Sequence, residues 1–409
     1  MKILKLRERV SLKNKGIVIW ITLICAMMMV FVQRLYPGVM QEYFKQKFSV
    51  GISGAVGFSS ATFYGYACMQ IPAGILVDKI GVRKISMAGM FITAMASIIF
   101  TVTESYTTAY LMRFLIGAGT SVIIICTFKV QVLWFSERKF SLLSSLMAFL
   151  SNLGMYLGTV PLAIAVQNVG EKRTLYIIAL ISLIVFIFVT LIVKEKESLL
   201  DKTNEKVEFL KGFFEVIKNP YTYPPVFIIF FFISTMTSFL GFWGVSYLTQ
   251  IYGMNIMEAS SKISYLSVGF ILGSFIVAFV DRIFGGDYRY GLRIFTGIYS
   301  ALWIYLLIIC KGKPNVDFIG FLFVMMGIVI MGHLLAFTAV KENNKLENTG
   351  IATSFTNTAE FIGSGIINFI IGFLLNKSWS IINSMKVLMV FSIFAFISSF
   401  FIKKNKKSV

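Results

Sequence analysis

Arg34 and Glu360 are the residues of this 409-residue chain whose type and setting most demand a chemical explanation. Arg34 sits in the stretch VQRLYPGV, and Glu360 lies midway along ATSFTNTAEFIGSGIINF. Both stretches are apolar enough to lie in lipid, where a charged side chain is expensive and is retained for a function. Two roles suit Arg34: a guanidinium reaching up to the headgroups on its alkyl stem, or one that grips a single carboxylate through two parallel hydrogen bonds. Glu360 is the only acid deep within an apolar run. It suits a proton carrier, a partner for a substrate ammonium, or one member of an ion pair with a lysine or arginine nearby. Gly363, Ser364 and Gly365 beside it suit close helix packing or a cavity wall.

Tyr64, Tyr66, Gln70 and Trp243 offer polar edges and aromatic faces that could wall a site, or could pack. Lys129, five residues from the end of its run, suits snorkelling or substrate contact. His333 suits a proton relay or a structural role. No Ser–His–Asp set, metal-ligand cluster or phosphate-cradling glycine loop appears in the sequence, so nothing points to an embedded enzyme or to a cofactor. Cys25, Cys68, Cys126 and Cys310 fall inside apolar runs without CxxC spacing and read as small buried hydrophobes.

The elements that position these residues are membrane helices. Apolar residues make up 57% of the chain and charged residues 14%, with mean hydropathy +0.80; a soluble domain carries about 25% charged residues. The net charge of +19 lies in short clusters between apolar runs rather than along one face, which excludes a nucleic-acid partner. Runs of sufficient length predict twelve spans, at 16–36, 51–77, 85–103, 107–134, 141–166, 173–193, 223–252, 259–281, 290–310, 315–339, 349–375 and 379–402. The run from Gly16 is too long for a signal-peptide core and reads as a retained first span.

The polar segment KEKESLLDKTNEKVEFLKGFFEVIKNP between the sixth and seventh spans reads as a linker, with an interfacial amphipathic helix near VEFLKGFFEVI as an alternative. Expected units are therefore a bundle over 1–193, a linker over 194–222 and a second bundle over 223–409. With the N-terminus in the cytoplasm, about 26 of the 38 Lys and Arg residues fall on the cytoplasmic side. The positive-inside rule then places both termini inside a cytoplasmic membrane.

Two polar loops punctuate this pattern. GILVDKIGVRK occupies 74–84, and VDRIFGGDYR occupies 280–289; Asp78 and Asp281 are 203 residues apart, the mark of a duplicated six-span unit. Each reads as a tight cytoplasmic turn. Gly74 and Gly81 are expected to allow close backbone approach, and Asp78 to pair with Arg83 or with a neighbouring helix terminus. The second copy keeps Asp281, Arg282, Gly285 and Arg289.

Gly74, Leu76, Asp78, Lys79, Gly81, Arg83 and Lys84 resemble the loop signature of the major facilitator superfamily. RFLIGAG, through Arg113, Gly117 and Gly119, resembles its span-four signature. YACMQIPAGILVDKIG, WFSERKFSLLSSL and GFWGVSYL resemble a sugar-phosphate-permease-like branch that includes phagosomal amino-acid and nucleoside permeases. The resemblance implies an all-α polytopic membrane protein of twelve transmembrane helices in two pseudo-symmetric six-helix bundles. These would rock about a central site, with the aspartate loops latching the outward-open state. It also implies an acid in span one as partner for Arg113, and span one has none. GMYLGTVP only shadows the exchanger signature, which favours symport or uniport. Arg34 precedes Asp78 by 44 residues, which resembles the separation at which organophosphate antiporters carry a substrate-binding arginine. However, the span-two lysine position falls near Gln70, and span seven carries no cation.

The expected function is a secondary transporter of a small organic solute, a carboxylate such as an amino acid, coupled to protons. Arg34, Tyr64, Gln70, Trp243 and Glu360 would form the site, and a single chain would be the working unit in the bilayer. The alternative is a receptor that keeps the transporter fold and senses a metabolite.

Overall fold

The computed structural model describes residues 2–135, 137–195, 205–283 and 287–403, all of them helical or in short connections. The first half comprises α1 (Lys2–Val39), a short α2 (Gln41–Lys47), α3 (Ile52–Ile80), α4 (Val82–Val102), α5 (Tyr106–Trp134), α6 (Glu137–Leu157), α7 (Val160–Val169) and α8 (Glu171–Ile192). After α9 (Glu205–Lys218) come α10 (Tyr223–Phe231), α11 (Ile233–Ser238), a π-helical turn at Phe239–Trp243, and α12 (Gly244–Tyr252). The second half continues with α13 (Ile256–Ile283), α14 (Tyr288–Ile304) with a π turn at Tyr305–Ile309, α15 (Val316–Ile330), α16 (His333–Asn343), α17 (Thr349–Asn376) and α18 (Ile381–Ser399).

Three predicted spans are broken within the bundle. α6 gives way to α7 at Thr159, two residues before Pro161, which has no N–H to continue the ladder. The seventh span changes register at Phe232 and again through its π turn. The tenth breaks at Met331–Gly332. Eleven spans among the described residues are long and apolar enough to cross a membrane. α3 is a twelfth helix of that length, diluted by Ser59, Ser60, Thr62 and Gln70, which are all buried. Its polarity follows from its place: α3 packs on α5 within its own half and on α17 across the molecule, and is shielded from lipid on both sides.

Backbones approach closely within each half. A side chain on Gly65 would strike the Phe114 carbonyl, and one on Gly117 would strike that of Thr62, so α3 and α5 cross nearly in contact. Gly269 and Gly327 make the matching seam between α13 and α15. Gly65 and Gly269 are 204 residues apart, close to the spacing of the two aspartate loops. Gly119 meets the Gly89 carbonyl, adding α4 to the first seam.

The halves meet most closely at the end away from the chain termini, here the distal end. Gly38 lies against Gly241 and Phe242, Ser246 donates to Gln41, and Asn376 donates to Ser53. Contacts continue to mid-bundle, where Phe63 and Tyr66 of α3 meet Phe361 of α17. Toward the terminal end, Gly74 and Gly350 each face open space. α9 rests on the second half: Val216 is buried with Val340 and Ala352, and Glu215 pairs with Lys345 at 3.0 Å.

Of the four cysteines, only Cys126 is buried. Cys25 and Cys68 lie on exposed helix faces, so a buried reading fails for them.

Candidate functional site

Arg34 projects from α1 into the middle of the bundle and is held by aromatic rings. Its guanidinium carbon lies 4.2 Å from the Tyr66 ring centroid, 4.8 Å from that of Phe361 and 5.2 Å from that of Phe31. Tyr66 and Phe361 come from opposite halves, with centroids 4.2 Å apart. A desolvated guanidinium on several ring faces is stabilised by about 2 kcal/mol or more. That restrains the side chain without using its hydrogen bonds. Nε and Nη2, the two donors along one edge of the guanidinium, are covered and have no hydrogen-bond partner.

Arg34 and Glu360 line one cavity of about 280 Å³ between the halves. Glu360 follows from α17 placing Phe361 against Tyr66: its neighbour faces the cavity, where Oε1 accepts a hydrogen bond of 2.8 Å from Thr237 on α11. Ser151, His333 and Asn357 supply further polar groups to the wall, which is otherwise apolar. His333 begins α16 directly after the helix break, with Nδ1 2.9 Å from the Ile330 carbonyl. A carbonyl only accepts, so Nδ1 carries a proton in this arrangement and Nε2 is left as the variable position. A second cavity of about 650 Å³ lies distally, beyond the Gly38–Gly241 contact, with Glu42, Glu171 and Gln167 in its wall.

Of the five residues expected at the site, Arg34 and Glu360 are brought together; Tyr64, Gln70 and Trp243 do not line this cavity. Residues 64 and 66 point about 200° apart on a helix. Tyr64 therefore packs on Gly365 of α17, while Tyr66 reaches Arg34. Gln70 is buried one turn beyond Tyr66. Trp243 is fully buried and donates its indole N–H to Asn368 at 2.9 Å. Sequence reading missed Thr237, Asn357 and Phe361. An i, i+1 pairing of an acid with a large ring at 360–361 was the available signal for the last.

Arg113 is fully buried, and its partner is not an acid. Nη2 donates to the Gln33 carbonyl at 2.9 Å, Nε to the Phe58 carbonyl at 3.3 Å, and Nη1 meets Gln33 Oε1 at 3.5 Å. Gln33 in turn donates to Ser97 at 2.8 Å and to Ser182 at 3.0 Å, so one amide ties α1, α4, α5 and α8 together. Tyr36 covers the guanidinium at 4.6 Å.

The first aspartate loop differs from expectation in three ways. Asp78 pairs with Lys129 of α5 at 2.6 Å, not with Arg83, and Lys129 is thereby neither snorkelling nor at the cavity. Gly74 makes no close approach here. The carboxylate at the helix terminus is Glu195, which follows α8 and accepts from the N–H groups of Val82 and Arg83 at 3.2 and 3.0 Å. Gly81 permits this with φ +96° and ψ 159°, and a Cβ there would lie 2.5 Å from Glu195 Oε2. In the second loop α13 runs through Asp281 and Arg282, whose side chains, like Gly285, lie outside the described residues. Asp287 caps α14, accepting from the Arg289 N–H at 3.1 Å and pairing with its guanidinium at 2.5 Å.

A central cavity between two glycine-seamed groups of helices fits the expected architecture, and comparison with known proteins decides the family. The sequence profile of the Major Facilitator Superfamily matches residues 19–368. The chain belongs to the Major Facilitator Superfamily. It is accordingly a multi-pass membrane transporter of small solutes and not an enzyme.

Among individual proteins, it is 28% identical over 125 residues to an uncharacterized transporter, YybO, of Bacillus subtilis (strain 168). That match spans 31% of this chain and 29% of the relative's length. Solved structures similar in fold include a bacterial homolog of the human lysosomal transporter Spinster, inward-facing and unoccupied. Its TM-score is 0.72 at 14% identity, with 94% of this chain and 97% of that chain covered. A D-xylose–proton symporter gives 0.71 at 11% identity over 96% and 98% of the two chains. FucP in its outward conformation gives 0.62 at 19% identity over 96% and 100%.

Proposed function

We propose that this superfamily member moves a small carboxylate-bearing solute, an amino acid being the leading class, together with a proton across the cytoplasmic membrane. One observation carries the reading: Nε and Nη2 of Arg34, adjacent donors held in place by three rings, have no acceptor within the protein. Buried donors left unsatisfied cost about 1–3 kcal/mol each. A carboxylate matches both at once, which a hydroxyl or a carbonyl does not, and it would reach them as the covering rings give way. Glu360, facing the same cavity, is assigned the solute's ammonium or the coupled proton.

The distal seal and the open setting of Gly74 and Gly350 support an inward-facing state, with both termini cytoplasmic and a single chain as the unit. In the outward-open state Asp78 would leave Lys129 and latch the terminal end of α17, with Asp281, Arg282 and Gly285 as its counterpart in the second half. Close approach at Gly74 belongs to that state.

Purified protein in proteoliposomes tests the assignment with a panel of radiolabelled amino acids and an imposed proton gradient. Arg34→Gln is expected to lose solute binding. Glu360→Gln is expected to lose proton-driven accumulation. Full accumulation by Glu360→Gln refutes the coupling role. Binding without accumulation in the unaltered protein refutes transport and leaves a receptor.

A further inference from the structure

We propose that the transported solute is an amphipathic monocarboxylate, with one carboxylate on Arg34 and an apolar body seated in a methionine-rich wall. This rests on the carboxylate reading of Arg34 and adds what the rest of the cavity selects. Five of the twenty-one lining residues are methionine (Met27, Met147, Met155, Met236 and Met331), whereas methionine supplies 20 of the 409 residues of the chain. Four more are phenylalanine. Methionine is unbranched and polarizable, so it fits apolar groups of varied shape and makes favourable contacts with rings.

The polar groups besides Arg34 are few, and two of them are engaged within the protein, leaving Ser151 and Asn357. Thr237 donates to Glu360, and His333 donates through Nδ1 to Ile330. A sugar carries a hydroxyl on nearly every carbon, and each one buried against this wall would go unpaired at a cost. The cavity of about 280 Å³ lies at the small end of ligand sites. It suits a short acyl or single-ring acid rather than a lipid.

Direct titration of the purified full-length protein with propionate, butyrate, pentanoate and hexanoate tests this, with the matching 1-alkanols as controls for partition into detergent. Affinity is expected to rise about fourfold per added methylene, the equivalent of the ~0.8 kcal/mol gained on burying a CH₂ group. The alkanols and D-xylose should not compete. Met236→Ser and Met331→Ser should each weaken hexanoate more than propionate, and Arg34→Gln should weaken every acid.

A flat acid series overturns the apolar seat while leaving the carboxylate reading standing. Alkanols binding as well as acids, or undiminished acid binding by Arg34→Gln, overturns the carboxylate reading itself. An unchanged acid series in both methionine variants overturns the placement of the apolar body. No binding by any of these acids, with an amino acid of the radiolabelled panel still binding, overturns the apolar seat alone; no binding by either set overturns both readings.

Discussion

Replacing Gly81 with alanine is a demanding test of the loop geometry, because two separate costs converge on one methyl group. The backbone at φ +96° and ψ 159° lies in a region occupied almost only by glycine, where another residue costs about 1–3 kcal/mol. The new Cβ would also stand 2.5 Å from Glu195 Oε2, displacing the carboxylate from the Val82 and Arg83 N–H groups. Losing a cap of this kind costs about 0.5–2 kcal/mol. Gly81→Ala should therefore destabilise the protein by about 2–4 kcal/mol, and Glu195→Ala by about 1 kcal/mol. The double variant should cost less than their sum by about 1 kcal/mol, since shortening Glu195 makes room for the methyl group. Equilibrium unfolding in mixed micelles measures all three. A Gly81→Ala protein as stable as the original would refute the conformational argument. Additivity of the pair, within about 0.5 kcal/mol, would refute the steric one.

Gln33→Leu should destabilise by about 1.5–3 kcal/mol by removing a hydrogen bond to the buried Arg113, while Gln33→Glu, which supplies the acid absent from α1, should cost less; thermal unfolding of the two separates these. Asp78→Asn and Lys129→Gln should leave the fold intact but act oppositely on conformation. The first removes the proposed outward latch and the second frees Asp78 for it, readable as cysteine accessibility at the distal vestibule. The docking of α9 should be pH-sensitive at both extremes. Hydrogen bonds from Lys345 and Asn348 hold Glu215 below the usual carboxylate range, and the hydrogen bond to Glu215 holds Lys345 above the usual lysine range. The Glu215 contribution is present above the unfolded carboxylate value of about 4.3 and is lost as pH falls through its lowered value. The Lys345 contribution is present below about 10.4 and is lost as pH rises through its raised value. Hydrogen-exchange protection over residues 205–218, taken relative to the intrinsic amide rate at each pH, should fall at both ends, and pH-independent protection would refute the pairing.

Helices and their approximate limits were legible because lipid imposes length and apolarity on each span, as α4, α14 and α17 illustrate. The breaks at Phe232 and Met331–Gly332 were not, since no proline marks them and the local sequence stays apolar. At the site, Arg34 and Glu360 stood out as charges in an apolar setting. Choosing Tyr66 over Tyr64 needs the rotation of α3, which the seam at Gly65 fixes by turning that face toward α5. Glu195 could not be found from sequence, because it closes on a loop 112 residues away and no local pattern announces the contact. Gln33 was similarly hidden: an amide standing where an acid is usual makes a neutral partner for Arg113, visible only once four helices converge on it.

The glycine seams of α3 with α5 and α13 with α15 bear on how such a molecule can evolve. Where two main chains nearly touch, any added methyl group pries apart a whole helix pair. Between the halves, main chains come this close at Gly38 and Gly241 of the distal end, while at mid-bundle larger rings such as Tyr64, Tyr66 and Phe361 make the contact. Mutational drift should thus be vetoed along the seams and admitted at the ring-lined cleft, so that new cargo preferences can arise by exchanging cleft side chains while the two moving bodies keep their shape.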